Sequence, residues 1–267
     1  MAATPARCAL VTRPRAQGEQ WQRRLAALGV QAELLPLIEI APAPDPTALP
    51  RWFDSLAGGP EGAPRPASLV MFVSPNAASG LFDALPPGWQ WPTGALAAAT
   101  GPGTTAALRA AGVTGAVIVE PPPDAAQFDS EALWAVLTPR LDWAGRRVAI
   151  VRGDGGRDWL ATQLAAAGAE VEFVQSYARV APRWGDAEHA LLAQALAEPA
   201  RFAWLLSSSE ALGHLRTLAP QADWSAALAL ASHPRIATSA RAQGFGRVVE
   251  ITPSPEAVAQ ALAALPP

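Results

Sequence analysis

Seven short segments carry most of the residues in this chain that can do chemistry: Thr12-Arg13-Pro14, Ser74-Pro75-Asn76, Thr100-Gly101-Pro102-Gly103-Thr104, Arg152-Gly153-Asp154-Gly155-Gly156-Arg157, Ser207-Ser208-Ser209, Ser232-His233-Pro234-Arg235 and Thr252-Pro253-Ser254. Hydroxyls, glycines and arginines dominate them. Taken singly, each has a plain explanation, because Ser, Thr and Asn are favoured helix N-caps and Pro is the favoured first helical residue. Taken together they suggest more. Several helix N-termini with free amide donors, joined by Arg13, Arg152, Arg157 and Arg235, make a multivalent anion site whose ligand carries several carboxylates or phosphates.

The glycine-rich segment "GDGGRD" fits neither established phosphate motif. In a dinucleotide fingerprint the last glycine falls at Asp158, and a P-loop needs a lysine, which this chain lacks altogether. Asp154 and Asp158 also repel a polyphosphate unless Arg152 or Arg157 neutralises them, so carboxylate binding fits better than a nucleotide cradle. Every basic residue is Arg, which excludes Schiff-base chemistry. His189, His214 and His233 stand apart with no carboxylate or cysteine at ligand spacing, so no metal site is expected. "SSSE" and "SPNA" lack the nucleophile elbow of a serine hydrolase. Tyr177 is the one tyrosine; it is either a core aromatic or a hydroxyl presented as an acid or hydrogen-bond donor.

These segments need elements to position them. Short apolar runs at 8–13, 31–40, 69–73, 96–99, 116–119, 147–151, 171–177, 202–206, 228–231 and 247–251 read as strands. Stretches of helical spacing, such as Trp21, Leu25, Leu28 and Trp159, Leu160, Leu164, lie between most of them. That alternation is the signature of an α/β fold with parallel sheets, in which ligands gather beyond the carboxyl ends of the strands.

The chain also repeats itself. "LVTRPRAQGEQWQRRLAALG" aligns with "IVRGDGGRDWLATQLAAAG", "SPNAASGLFDAL" with "SSSEALGHLRTL", and "LAAATGPGTTAALRAAGVTGAVIV" with "LALASHPRIATSARAQGFGRVVEI", at an offset of roughly 132 to 140 residues. Two similar domains are expected, each a parallel five-stranded sheet flanked by helices, with the site in a cleft between them. The long runs 31–40 and 171–177 are each followed by proline, at 42–46 and Pro182, so a strand at each place could carry the chain from one domain to the other; a cut near Leu137 to Trp143 is the alternative.

Bulk properties set outer bounds. No apolar run approaches the roughly 20 residues of a membrane span, and the opening residues lack the pattern of an export signal, so no membrane association and a cytoplasmic location are expected. A formal net charge of −3 gives no support for nucleic-acid binding. The single cysteine, Cys8, lies in the first apolar run and reads as a buried structural thiol.

In order and spacing, "LVTRP", "PLIEI", "FVSPNA", "GPGTTAAL", "VRGDGGRDWLA", "SYAR", "LLSSSE" and "HPRIA" together resemble the uroporphyrinogen-III synthase family over nearly the whole chain. The resemblance implies a discontinuous first domain, 1–40 with 178–267, and a second domain, 41–177, joined by two extended linkers. It implies a cyclising lyase that closes the linear tetrapyrrole hydroxymethylbilane to uroporphyrinogen III with loss of water, inverting the last pyrrole ring through a spiro intermediate. It implies no cofactor and no metal. The substrate it implies carries eight carboxylates, in accord with the anion site read from the turns, and a monomer is expected to act on it. Tyr177 corresponds to the family's candidate acid. Ser74, Thr104 and Ser207 correspond to its cleft hydroxyls, and Pro75, Asn76, Gly101, Gly103, Arg13, Arg152, Gly153, Arg157 and Ser208 are expected to bind substrate beside them. Many relatives carry Gly-Pro-Thr-Thr where this chain has "SHPRIA", so His233 and Arg235 stand in for a hydroxyl contact there. A non-catalytic two-lobed binding or sensor module for a polycarboxylate is the chief alternative, since a fold does not determine its function.

Overall fold

The computed structural model describes residues 7–56, 67–125 and 127–265. In chain order the elements begin with β1 (Cys8–Val11), α1 (Arg15–Ala27), β2 (Ala32–Leu34), β3 (Glu39–Pro42), α2 (Ala48–Leu56), β4 (Leu69–Phe72) and α3 (Pro75–Phe82). They continue with β5 (Leu96–Ala99), α4 (Pro102–Ala110), β6 (Ile118–Val119), α5 (Ser130–Leu137), β7 (Arg147–Arg152), α6 (Trp159–Ala166), β8 (Glu170–Gln175) and β9 (Tyr177–Val180). The remainder is α7 (Asp186–Ala197), β10 (Phe202–Leu206), α8 (Ser209–Leu218), β11 (Leu228–Ala231), α9 (Pro234–Ala242), β12 (Arg247–Glu250) and α10 (Pro255–Ala264).

The strands form two parallel five-stranded sheets, ordered β12-β11-β10-β1-β2 and β6-β5-β4-β7-β8, and a two-stranded pairing of β3 with β9. The α/β architecture read from the alternation of runs is therefore the one adopted. The chain divides into two compact units, Met1–Glu39 with Val180–Pro267, and Ile40–Arg179. The two crossings between units run through β3 and β9.

The internal repeat has an unexpected consequence. Along the chain, each copy supplies a βαβ segment followed by three more sheet strands, yet neither sheet is built from one copy. The opening segment β1-α1-β2 pairs with β10 of the later copy, and β7-α6-β8 of the later copy pairs with β4 of the earlier one. The two sheets have the same strand order because the copies have exchanged their first halves.

Inner strands are buried on both faces, as expected where helices cover a parallel sheet: β1 (CALV), β4 (LVMF), β10 (FAWLL) and β11 (LALA) have no exposed residue. In the first unit Trp204, Trp224 and Phe245 stack and abut one another at ring separations of 5.1 to 6.1 Å. In the second, Phe72, Phe82 and Trp91 do the equivalent with Trp89 beside them. Some residues shared by the two copies follow from helix termination. Gly29 and Gly168 follow α1 and α6 with φ of 76° and 88°, the left-handed conformation that lets a helix stop and the chain turn into the next strand.

The runs 31–40 and 171–177, which read as single long strands, are each two. After β2, Leu35 and Leu37 still donate to the carbonyls of Val11 and Thr12 on either side of Pro36, and the chain takes up a new strand only at Glu39, as β3. After β8, Ser176 turns its N–H to the Arg152 carbonyl and its hydroxyl to the Ala77 carbonyl, and the strand restarts at Tyr177 as β9.

Cys8 is 5% exposed. Burial, aided by the negative charge of Glu33, pushes its thiol from an ordinary 9.0 to about 11. A raised acid pKa means that the thiol's contribution to stability is complete below the unfolded value and is lost as pH rises through about 11. Iodoacetamide at about pH 8 is expected to leave native Cys8 unmodified and to alkylate it in urea, because only the thiolate reacts; rapid alkylation of the folded protein, followed by mass spectrometry, would contradict this burial.

Candidate functional site

In each sheet the connections run outward in opposite directions from one pair of neighbouring strands, β4 and β7 in the second unit, β1 and β10 in the first. Crevices open beyond the carboxyl ends of such pairs. The turns that follow these four strands are Ser74-Pro75, Arg152-Gly153, Thr12-Arg13 and Ser207-Ser208, all singled out by their residue types.

In the second unit Val73 donates to the Val151 carbonyl, carrying the β4–β7 pairing one residue past the end of β4. Ser74 is extended, and its Oγ accepts the Ala77 N–H at 3.2 Å, capping α3 with Pro75 as the first helical residue. The serine hydroxyl is thereby used as an acceptor while its own proton stays free to be donated. Asn76 is half-buried in the same turn. Gly153 is buried, and a Cβ there would lie 2.8 Å from Cζ of Tyr177 and 3.0 Å from Cε2. The hydroxyl-bearing end of the Tyr177 ring therefore lies against the backbone of the turn after β7. Tyr177 itself is 4% exposed and belongs to the core cluster that includes Phe72, Leu81 and Val151. The ring is core, and its polar end is directed to the turn. No side chain among the described residues bonds that hydroxyl.

The neighbouring turn, after β5, starts α4 at Gly101 with no side-chain cap and no acid in the first turn. Gly103 lies beside Pro75, with 3.5 Å between its ideal Cβ position and Pro75 Cγ. Ser74-Pro75, Gly101-Gly103 and Gly153 with Tyr177 thus line one end of one sheet. Thr104 and Thr105 are both buried, and it is Thr105 whose hydroxyl has a visible task, donating to Glu120 at 2.5 Å. Glu120 also faces Arg109 at 3.5 Å. Nothing in the spacing of the sequence pointed to this triad, because Glu120 follows β6, two strands out from the β4–β7 pair.

The "GDGGRD" turn is organised by its own charges. Arg152 bonds Asp158 at 2.5 Å while its guanidinium lies 4.6 Å over the Phe173 ring. Arg157 makes a two-pronged pair with Glu131, at 2.7 Å for one prong, and these hydrogen bonds raise its pKa above the ordinary guanidinium value. Asp158 starts α6 without capping it. Both arginines expected to bind an anion are thus already matched by carboxylates.

In the first unit Thr12 donates its hydroxyl to the Leu205 carbonyl at 2.6 Å, tying the turn after β1 to β10. Arg13 follows, half-buried, with its guanidinium carbon 4.4 Å over the Trp21 ring. Helix α1 starts at Pro14 without a side-chain cap or a first-turn acid. Ser208 caps α8 through the Glu210 N–H, and Ser207 is half-buried just before it. One strand further out, His233 caps α9: its Nδ1 accepts the Arg235 N–H at 3.1 Å. The histidine performs the capping that a hydroxyl performs in the other turns, and Arg235 is exposed. Several candidate side chains are thus spent on caps or ion pairs, whereas among the described residues Arg13, Arg235, the Ser74 hydroxyl proton and the Tyr177 hydroxyl are not, nor are the starts of α1 and α4 capped by a side chain.

A profile of the family described as Uroporphyrinogen-III synthase HemD matches residues 19–260. The chain belongs to the uroporphyrinogen-III synthase family. A uroporphyrinogen-III synthase of Salmonella typhimurium is 37% identical over 185 residues, 68% of this chain and 69% of that protein. One of Escherichia coli is 35% identical over 215 residues, 79% of this chain and 80% of that protein. The crystal structure of uroporphyrinogen-III synthetase from Helicobacter pylori superposes with a TM-score of 0.56 at 16% identity, covering 97% of this chain and 98% of that one, a likeness of fold. Among the described residues the candidate site sets no nucleophile beside a base, and its unspent polar groups include helix-start amides, a guanidinium and a phenol.

The contacts at two glycines of this site differ in sign. Gly153→Ala forces a methyl into the Tyr177 ring and is expected to cost about 1–3 kcal/mol, as overpacking does. Gly103→Ala meets only ordinary contact and is expected to be neutral or to stabilise by up to about 1 kcal/mol. Urea unfolding of the two variants measures both; equal stabilities would mean that the Tyr177 ring is not held where the backbone of Gly153 places it.

Proposed function

We propose that this chain closes hydroxymethylbilane to uroporphyrinogen III with inversion of the last pyrrole ring, as a cyclising hydro-lyase of tetrapyrrole and haem biosynthesis. The observation that carries the reading is the family match across residues 19–260, joined to a buried phenol whose polar end lies against the turn after β7.

In this reading Tyr177 donates its proton to the hydroxymethyl oxygen. The carbon–oxygen bond breaks, water leaves, and the pyrrole nitrogen's electron pair stabilises the resulting azafulvenium cation. The substituted carbon of the last ring attacks that cation to give the spiro intermediate, which fragments and recloses with the ring inverted. The final carbon-bound proton is lost as the pyrrole regains aromaticity, and the phenol is restored. Ionisation needs little help, whereas holding two chain ends for attack at the more hindered carbon is a large entropic task, and positioning is where a site of this kind contributes most. The Gly103 amide in the first turn of α4 and the hydroxyl proton of Ser74 are suited to hold substrate carboxylates near Tyr177, with Pro75, Asn76, Gly101 and Gly153 shaping the surface and Thr104 a further contact in the same reading. Ser207, Ser208, His233 and Arg235 are further contacts in the same reading. Arg152 and Arg157 contribute by ordering the turn after β7 and by whatever charge their carboxylate partners leave uncompensated.

The same reading makes Ile40–Arg179 and the two-segment unit separate domains, and makes the working form a monomer in the cytoplasm. Completion of both sheets within one chain supports the first part of that statement about oligomeric state. Among the described residues no helix is long and apolar enough to cross a membrane.

Incubation with hydroxymethylbilane, followed by oxidation and chromatographic separation of the uroporphyrin I and III isomers, tests the assignment: isomer III is expected in excess of the uncatalysed isomer I. Tyr177→Phe is expected to lower the rate of isomer III formation about 10²-fold, the low end for one general acid, and Ser74→Ala to lower it less. Complete loss in Ser74→Ala at unchanged substrate affinity would instead reveal a dedicated hydroxyl catalyst.

A further inference from the structure

Four arginines stand at strand ends where an anion would bind, and their situations differ. Arg152 is matched by Asp158 and Arg157 by Glu131. Arg235 is exposed on α9. Arg13 alone is both held in place and left without a counter-charge: among the described residues no carboxylate pairs with it, and its Nε is buried with no hydrogen-bond acceptor. Leaving a guanidinium N–H buried and unpartnered is costly, and burial also pulls the Arg13 pKa below the ordinary guanidinium value. A charge kept under these conditions needs something to hold it, and here that is Trp21. The guanidinium lies over the indole at 4.4 Å, and Trp21 is itself 9% exposed and packed with Ala9, Val11 and Leu25 in the first unit's core. The aromatic face stabilises the cation without accepting its hydrogen bonds. Arg13 also stands at the uncapped start of α1, whose own first turn holds no acid; the carboxylate that reaches that turn, Glu188, is paired with Arg15 at 2.8 Å.

We infer that Arg13 is a preformed clamp for a substrate carboxylate and that Trp21 is its positioning residue, acting through the guanidinium rather than touching the substrate. The inference rests on the proposed function for the identity of the carboxylate. A planar fork fixed on an indole loses little freedom when it meets a carboxylate, so its contribution appears in substrate affinity and not in the bond-breaking step.

Steady-state rates of isomer III formation test this in the wild type and in Arg13→Gln, Arg13→Lys, Trp21→Phe, Trp21→Leu and the Arg13→Gln/Trp21→Leu double variant. Wild-type formation of isomer III is measured first, so that a failure of the functional reading is seen separately from a failure of the clamp. Arg13→Gln is expected to raise KM about tenfold or more with little change in kcat, as loss of a charge-assisted hydrogen bond does. Arg13→Lys, which keeps the charge and loses the fork, is expected to fall between. Trp21→Phe, which keeps an aromatic face, is expected to stay near the wild-type KM, whereas Trp21→Leu raises it. In the double variant the two effects should not add, because they remove the same contact. An unchanged KM in Arg13→Gln overturns the clamp. Additive effects, or a KM in Trp21→Phe as high as in Trp21→Leu, overturn the positioning role and leave Trp21 a packing residue. If Trp21→Leu does not fold, the Arg13 pair and Trp21→Phe decide both points by the same criteria.

Discussion

Thr12 gives its hydroxyl to the carbonyl of Leu205 across 193 residues of chain. That bond marks the seam on which the molecule depends, the parallel pairing of β1 with β10, and its counterpart is the pairing of β4 with β7. At both seams, strands from the two copies of the internal repeat meet, and the connections leave in opposite directions. The turns of Thr12-Arg13, Ser207-Ser208, Ser74-Pro75 and Arg152-Gly153 are placed by these two pairings. Without the first, Arg13 has no relation to Ser207; without the second, Gly153 and Tyr177 have none to Ser74. Parallel pairing of this kind has no short hairpin to hold it, so register rests on buried apolar strands covered on both faces.

Within that frame the site is economical with its polar groups. A helix start needs a cap, and this chain spends Ser74, Ser208, His233 and Ser254 on four of them. Its charged turn needs neutralisation, and Asp158 and Glu131 supply it. What remains available to a ligand is what structure has not consumed. The starts of α1 and α4 follow residues that cannot cap with a side chain, Pro14 and Gly101, and so keep amides open. Fewer hydroxyls and arginines are therefore available to a ligand than the sequence alone suggests.

The α/β class, the parallel sheets and most strand positions were legible because periodicity and apolar runs report burial directly, and runs such as "VAIVR" and "FAWLL" have few other uses. The breaks after β2 and after β8 were not, since they depend on which carbonyls the N–H groups of Leu35, Leu37 and Ser176 find in a neighbouring strand. At the site, residue types singled out the turns and the phenol as places of interest. They could not say which hydroxyls were already occupied. Thr104 and Thr105 are adjacent and chemically identical, yet Thr105 has Glu120 for a partner because of a strand that lies 15 residues on. Likewise, Arg13, Arg152 and Arg157 look alike in sequence, and only the geometry separates the unpaired one from the two neutralised ones.

The exchange of halves between the repeat copies also imposes an order in time. A ribosome releases the chain from its amino end, and the Ile40–Arg179 unit is contiguous, so all five strands of its sheet exist once Gln175 has emerged. The segment β1-α1-β2 is made first and completed last. Its first strand, CALV, needs β10 as a neighbour, and until Phe202–Leu206 has been synthesised it must remain an apolar strand with an open edge. The nascent protein therefore carries a finished globule flanked by an unfinished one, and the closing of the second sheet is a late event of high contact order whose rate is set by the search of one end of the chain for the other.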